Sequence, residues 1–308
     1  MFSAMDTVQS VRTGKRKKRR NFNIANFIIS LFVLLYSLAC ILPMILTLMV
    51  SITDENTIMR NGYSFFPKKF SLYAYRLMFQ GGSSVIRGYL VSIAVTVIGT
   101  IGAVLLTAFA AYTLANKNVK YRNALSLYYF IPMVFSAGMV PWYLICKRLG
   151  LQDNILSLIV PNLLFSPFNL FLVRNYMSGI PDSLRESATI DGANDFTIAF
   201  RIYFPLSLPV LATVTLFYGL GYWNDWWNAI MLVDRQELYP IQYLLLQLKS
   251  QISMLRDLQY MAGAANVTPP AESLKMATAV ITIGPIILLY PFLQKYYIKG
   301  LVVGSVKE

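Results

Sequence analysis

The 308-residue chain contains no histidine and only two cysteines. The first absence removes the general base of His-dependent hydrolases and the commonest metal ligand. Cys40 and Cys146 each lie within an apolar run with no CxxC spacing, which points to neither a disulfide framework nor a metal site. There is no GxxxxGK phosphate loop and no GxSxG elbow, so the chain by itself cannot hydrolyse ATP in the P-loop manner or act as an α/β-hydrolase. Charge is scarce as well: 13% of residues are charged, with 14 acidic against 27 basic side chains and a net charge of +13.

What the chain has in place of charge is apolar length. Hydrophobic residues make up 56% and the mean hydropathy is +0.53, far from soluble averages. Apolar runs of bilayer length, uncharged except for Asp225 in the fifth, occur six times, at Phe27–Val50, Tyr89–Leu114, Asn123–Cys146, Ile155–Val173, Leu206–Val233 and Met276–Gln294. Each is long enough to cross as a helix, and the expected fold is an all-α polytopic membrane protein with six transmembrane helices. The patch Ile241–Leu248 is too short to span and is expected to pack on the outer surface. The first run is longer than a signal-peptide core and no small-residue cleavage site follows it, so it is expected to be retained. In the second run Gly99, Ala103, Thr107 and Ala111 repeat every four residues, a small-residue ridge that lets another helix approach closely.

Orientation follows from the basic residues, which are retained on the cytoplasmic side next to spans. With the N-terminus inside, inner segments hold 16 Lys and Arg and outer segments 11. The cluster Lys15 to Arg20 abuts the first span, where it anchors topology and attracts anionic lipid; it is not read as a nucleic-acid site. Both termini are therefore expected in the cytoplasm. The resulting organisation is a basic cytoplasmic tail (1–26), a first span (27–50), an extracytoplasmic segment (51–88), a five-helix core (89–294) with a cytoplasmic loop at 179–205, and a cytoplasmic tail (295–308).

That loop is polar where its surroundings are apolar. Pro181 suits a first helical position, Asp182 and Glu186 put negative charge in the first turns, Gly192 can end the helix in the left-handed conformation, and Asn194 or Asp195 can cap the next one. The pattern predicts helix, tight turn, helix. In the second helix Phe196, Ala199, Phe200 and Tyr203 recur on one face, giving an apolar stripe that needs a partner surface and leaves the first helix exposed.

A second polar feature is the string Gly221 to Ile230 near the outer end of the fifth run. At 100° per residue, Gly221, Asn224, Asp225 and Asn228 fall on one face while Trp223, Trp226 and Trp227 take the rest. Two readings are open. The polar face lines a watery solute pathway, or the tryptophans, with Trp142 at the same level, are interfacial anchors and Asp225 lies near bulk water.

The pattern of Glu186, Ala188, Asp191, Gly192, Ala193, Phe200, Ile202, Pro205, Leu206 and Pro209 resembles the "EAA" loop of bacterial ABC importer permeases. Similarity extends along nearly the whole chain, through Phe65–Tyr75, Phe135–Asn154, Tyr239–Leu246 and Tyr290–Glu308, to carbohydrate-uptake permeases related to the smaller membrane subunit of the maltose system, and most to the oligosaccharide and aldouronate types. Ser187 departs from the family's usual second alanine, and is small enough for docking to survive. The resemblance implies a type I importer permease that is not itself an enzyme, paired with a second homologous permease, two cytoplasmic ATPases that bind the ATP and Mg, and an extracytoplasmic solute-binding protein. The outer segment from Ser51 to Arg87 is expected to contact that protein, although its residues carry no signature of their own. It implies no cofactor and no metal in this chain. Glu186, Ser187, Ala188, Asp191, Gly192, Ala193, Phe200, Pro205 and Pro209 would form the ATPase-coupling loop, with Asn224, Asp225 and Asn228 on the solute pathway. The alternatives are an ATP-independent secondary transporter or channel with Asp225 binding a coupling ion, and a membrane enzyme acting on lipid-linked sugars, for which no carboxylate or metal constellation can be assembled.

Overall fold

The structure, a computed structural model, describes residues 24–80, 83–161, 163–261 and 271–284. The regular structure in these residues is helical, apart from one antiparallel bridge between Thr53 and Phe70. The chain divides into two compact units, Met1–Ile45 and Leu46–Glu308. The described part of the first unit is most of helix α1 (Ile24–Ser51), whose Phe27, Phe32 and Tyr36 are exposed. A helix apolar all round and 25 residues long over Phe27–Ser51 is suited to a bilayer crossing.

The second unit begins with the end of α1 and two short helices, α2 (Glu55–Asn61) and α3 (Tyr73–Gln80). Its axis is α4 (Ser83–Ala115), 33 residues rich in Ala, Gly, Thr and Val, which is also long and apolar enough to span. The small-residue ridge lies buried in the packing of α4 against α12 (Leu208–Trp223): Ala103, Thr107 and Ala111 are fully buried. Two tyrosines of α12 fill the space that the ridge leaves. The Tyr222 ring lies where a Cβ on Gly99 would be, 2.5 Å from its Cζ, and the Tyr222 hydroxyl donates to the Ile159 carbonyl at 2.9 Å. The Tyr218 hydroxyl shares a 2.6 Å bond with Thr107 Oγ1 and accepts from the Ser166 amide at 3.1 Å. Small residues on one helix thus let aromatic side chains cross and satisfy backbone groups that no water would reach.

The third, fourth and fifth apolar runs are not single helices. The third is α5 (Arg122–Val134) and α6 (Met139–Arg148), bent by 118° at a break where Gly138 has φ 83°. Pro132 lies inside α5 and removes an amide donor from its ladder, and Pro141 stands in the first turn of α6, where a missing amide costs no helical bond. The fourth is α7 (Leu156–Ile159), a non-helical stretch beginning at Pro161, and α8 (Pro167–Met177), with Pro167 in the first turn and Ser166 accepting from the Asn169 amide. The fifth bends by 83° at Ser207, between Pro205 and Pro209, and breaks again after Trp223 before α13 (Trp227–Leu232). Run length measured hydrophobicity correctly, but proline and glycine set where the helices stop. Two helices among the described residues could cross a membrane, or up to four if each bent pair counts as one span.

On the opposite end of the unit from the 179–205 loop, a 3-10 turn (Gln236–Leu238) leads into α14 (Ile241–Met261). The short apolar patch predicted at Ile241–Leu248 is the first two turns of this 21-residue helix, and it is core rather than surface: Ile241 and Leu245 are buried, and the Ile241 amide donates to Ser92 Oγ on α4 at 2.9 Å. Residues 271–284 are helical and start the sixth run upstream of Met276; its remainder, from 285, lies outside the described residues, as do the tails 1–23 and 295–308. The start of this helix is held by Glu55, a buried carboxylate that accepts from the Glu272 and Ser273 amides, both at 2.9 Å, and from Ser273 Oγ at 2.8 Å.

Candidate functional site: a braced helical hairpin

The predicted hairpin is present. Helix α9 (Asp182–Ile190) begins one residue later than expected, with Pro181 as the flanking residue in place of the first helical one. Its end is a Schellman motif: Gly192 sits at φ 82°, the Gly192 amide donates to Thr189 O at 3.0 Å, and the Ala193 amide donates to Ala188 O at 2.9 Å. A residue with a Cβ is strained at that φ, which is why glycine stands there. Asn194 caps α10 (Asp195–Ile198) by accepting from the Thr197 amide at 2.8 Å.

Beyond Ile198 the expected single apolar face does not continue, because Ala199–Tyr203 forms a π-turn before α11 (Phe204–Leu206). The wider i→i+5 winding shifts the register of following side chains. Ala199 and Tyr203 are buried as expected, together with Ile198, whereas Phe196 is 68% exposed and Phe200 51% exposed. Phe196, Phe200 and Phe204 all stand edge-on to Phe109 of α4, at centroid distances of 6.1, 5.4 and 5.2 Å. Of the residues assigned to the loop, Glu186, Ser187, Asp191, Gly192 and Pro205 are exposed, and Ala188, Ala193 and Pro209 are half-buried. Helix α9 has no buried residue, and it also exposes Leu184 and Ile190, the latter to 86%.

Sequence reasoning missed what holds the hairpin. Lys117, in the turn after α4, donates to Asp182 at 2.7 Å, and its ammonium holds that carboxyl below the usual carboxylate range. With the Asn118 amide oriented so that its oxygen faces Arg185, that oxygen accepts from both terminal guanidinium nitrogens at 3.0 and 3.2 Å. The Tyr112 hydroxyl donates to Asp195 Oδ1 at 3.1 Å, and its ring stands edge-on to Tyr203 at 5.0 Å. No local spacing encodes these pairs, since their partners lie more than sixty residues apart in sequence.

The polar stripe at the fifth run is a correction. Helix α12 ends at Trp223, so Gly221, Asn224, Asp225 and Asn228 do not share one helical face. Asp225 lies in the break and its Oδ1 accepts from the Trp227 and Asn228 amides at 3.1 and 3.2 Å, opening α13. Asn228 is buried and donates to the Pro161 carbonyl at 3.1 Å, while Asn224 is exposed and donates to Leu220 O at 2.9 Å. The break therefore brings Asp225 and Asn228 together through backbone capping and leaves Asn224 outside.

The fold and the hairpin define a helical membrane protein with broken apolar runs and an exposed two-helix element ended by a glycine turn. Residues 103–303 match the model of the binding-protein-dependent transport system inner membrane component, and the chain belongs to that family. It is 39% identical over 277 residues to the polygalacturonan/rhamnogalacturonan transport system permease protein YtcP of Bacillus subtilis, covering 90% of this chain and 96% of that one. It is likewise 39% identical over 269 residues to protein LplC of the same organism, covering 87% and 89%. Among solved structures, a bacterial ABC transporter involved in import of the acidic polysaccharide alginate has a chain that superposes with a TM-score of 0.76 at 30% identity, covering 89% of this chain and 96% of that one. The protein is thus a permease subunit of an ATP-binding cassette importer, and the ATPase is a separate subunit.

Proposed function

We propose that this permease forms half of an oligosaccharide pathway and couples it to two cytoplasmic ATPases, which bind the ATP and Mg, through the hairpin at 179–205. The pathway's other half is a second homologous permease, and an extracytoplasmic solute-binding protein delivers the cargo. The oligosaccharide class is supported by the relatives named for polygalacturonan/rhamnogalacturonan and arabinooligosaccharide transport, and by the alginate importer. The bent pairs count as spans three and five in this reading, the fragmented α7–α8 region is span four, and residues from 271 begin span six, with both termini cytoplasmic. The loop-bearing end is then inside, in agreement with the excess of Lys and Arg.

The observation that carries the coupling reading is the exposure of α9. Glu186, Asp191, Leu184 and Ile190 present a mixed acidic and apolar knob that none of the described residues covers, ended by a Schellman turn. Such a knob offers a partner groove both apolar burial and charge-assisted hydrogen bonds. On ATP binding the ATPases close, the knob moves with them, and the inward-open cavity becomes outward-open; hydrolysis resets it. Asp225 and Asn228 flank the pathway in this scheme, with Asn224 at its outer mouth. The test is a cysteine at Glu186 in a background lacking Cys40 and Cys146. Crosslinking to the copurifying ATPase, lost with no change in expression when Ile190 is replaced by Asp, is the expected result. A transporter that takes up oligosaccharide with no ATPase bound would overturn the reading in favour of the ion-coupled alternative through Asp225.

A further inference from the structure

We infer that the turn after α4 is a second arm of the coupling machinery, and that the hairpin moves together with the inner end of α4 as one rigid body. This rests on the coupling role of the hairpin proposed above. The hairpin is clamped on both of its helices by the same short piece of chain. Helix α9 is held by Lys117 on Asp182 and by Asn118 on Arg185; α10 is held by Tyr112 on Asp195. The following π-turn and α11 are held by the Tyr112–Tyr203 contact and by Phe109, which meets Phe196, Phe200 and Phe204. The clamp is itself closed, because Arg122 at the start of α5 donates through Nε to the Leu114 carbonyl at 2.8 Å and locks the turn across its base.

These contacts differ in kind from the hairpin's continuation into α11 and α12, where the chain bends by 83° at Ser207. A bend at a non-helical residue between two prolines absorbs displacement, while a set of charged hydrogen bonds and aromatic contacts on two helices at once transmits it. Force entering at Glu186 therefore reaches α4 first. Helix α4 in turn packs against α12, α8 and α14, through the buried ridge and through the Ser92 bond to α14, so it distributes the displacement to both sides of the unit. Tyr112, Lys117, Asn118 and Arg185 are positioning residues in this scheme: they act by holding the hairpin to the helix it drives.

The experiment uses the assembled transporter in proteoliposomes, with Cys40 and Cys146 replaced by Ser, reading oligosaccharide uptake and ATP hydrolysis together. A cysteine pair, Lys117→Cys with Asp182→Cys, is joined by a short bis-maleimide. Retained uptake after crosslinking is expected, because partners that never separate can be tied; loss of uptake with complete crosslinking would overturn the inference. In the second arm, Tyr112→Phe combined with Lys117→Asp releases the clamp. Uptake per ATP hydrolysed should fall by roughly twofold to fivefold, the scale of an exposed ion pair, and Lys117→Asp paired with Asp182→Lys should recover more of it than either change alone. An unchanged ratio on releasing the clamp counts against the second arm. Crosslinking from Glu186→Cys to the ATPase is run on every variant: its loss in the unmodified background refutes the coupling reading itself, whereas its persistence with a failed clamp test refutes only this inference.

Discussion

Replacing Gly192 by Val tests whether the hairpin's turn is a conformational requirement or a matter of space. Among the described residues, chain neighbours aside, nothing lies within 4 Å of where a Cβ would stand on Gly192, so the Cβ itself meets no obstacle there. The cost comes from φ 82° alone, about 1–2 kcal/mol for an L-residue held in the left-handed region. That is enough to shift the balance between the native turn and a relaxed one by roughly 5- to 30-fold, and the relaxed turn loses the Gly192 and Ala193 bonds that set α9 against α10. Since α9 buries no residue, the membrane unit itself should be untouched. Expression and melting temperature should therefore stay at wild-type values while uptake and cargo-stimulated ATP hydrolysis fall, by at most that factor. Gly192→Asn is the control, because Asn tolerates the left-handed region and should keep most activity. Wild-type uptake in Gly192→Val, or equal damage from Asn and Val, would refute the reasoning.

Gly99→Ala should destabilise the purified protein by about 1–3 kcal/mol through overpacking, since the added Cβ meets a Tyr222 ring that its hydroxyl bond to Ile159 holds in place; an unchanged melting temperature would show that the ring can move freely. Glu55→Ala leaves the Glu272 and Ser273 amides without their acceptor and should cost about 1–3 kcal/mol, read as a lower melting temperature that Glu55→Gln only partly restores. Asp153 accepts from the Arg235 and Asp234 amides and from Arg235 Nε, and these bonds hold its carboxyl below the usual range. Its folded value being depressed, its contribution is present above the unfolded value and lost as pH falls through the folded one, so Asp153→Asn should flatten the acid limb of the melting profile and leave an unchanged slope at neutral pH. A full acid limb in that variant would assign the effect elsewhere. Asn also suits the positive φ of Asp153, so the substitution isolates the charge.

Membrane residence, helical class and the hairpin itself were decided by the amino-acid sequence, because each depends on neighbours in the chain. Twenty uncharged residues cannot remain in water, Gly192 ends a helix through its own φ, and Asn194 caps through an amide three residues on. Where the runs break was also written locally, in Pro132, Gly138, Pro161, Pro167, Pro205 and Pro209, although counting hydrophobicity alone passes over them. Asp225 caps α13 through amides two and three residues on, a local signal that a periodicity argument passes over by presuming a helix beyond Trp223; only the tertiary structure decided that Asn228 bonds to the Pro161 carbonyl. The same holds for the clamp. Lys117 and Asp182, or Tyr112 and Asp195, are brought together by helix packing across long stretches of chain, and any exposed lysine or membrane-end tyrosine has the same appearance in sequence until its partner is in place.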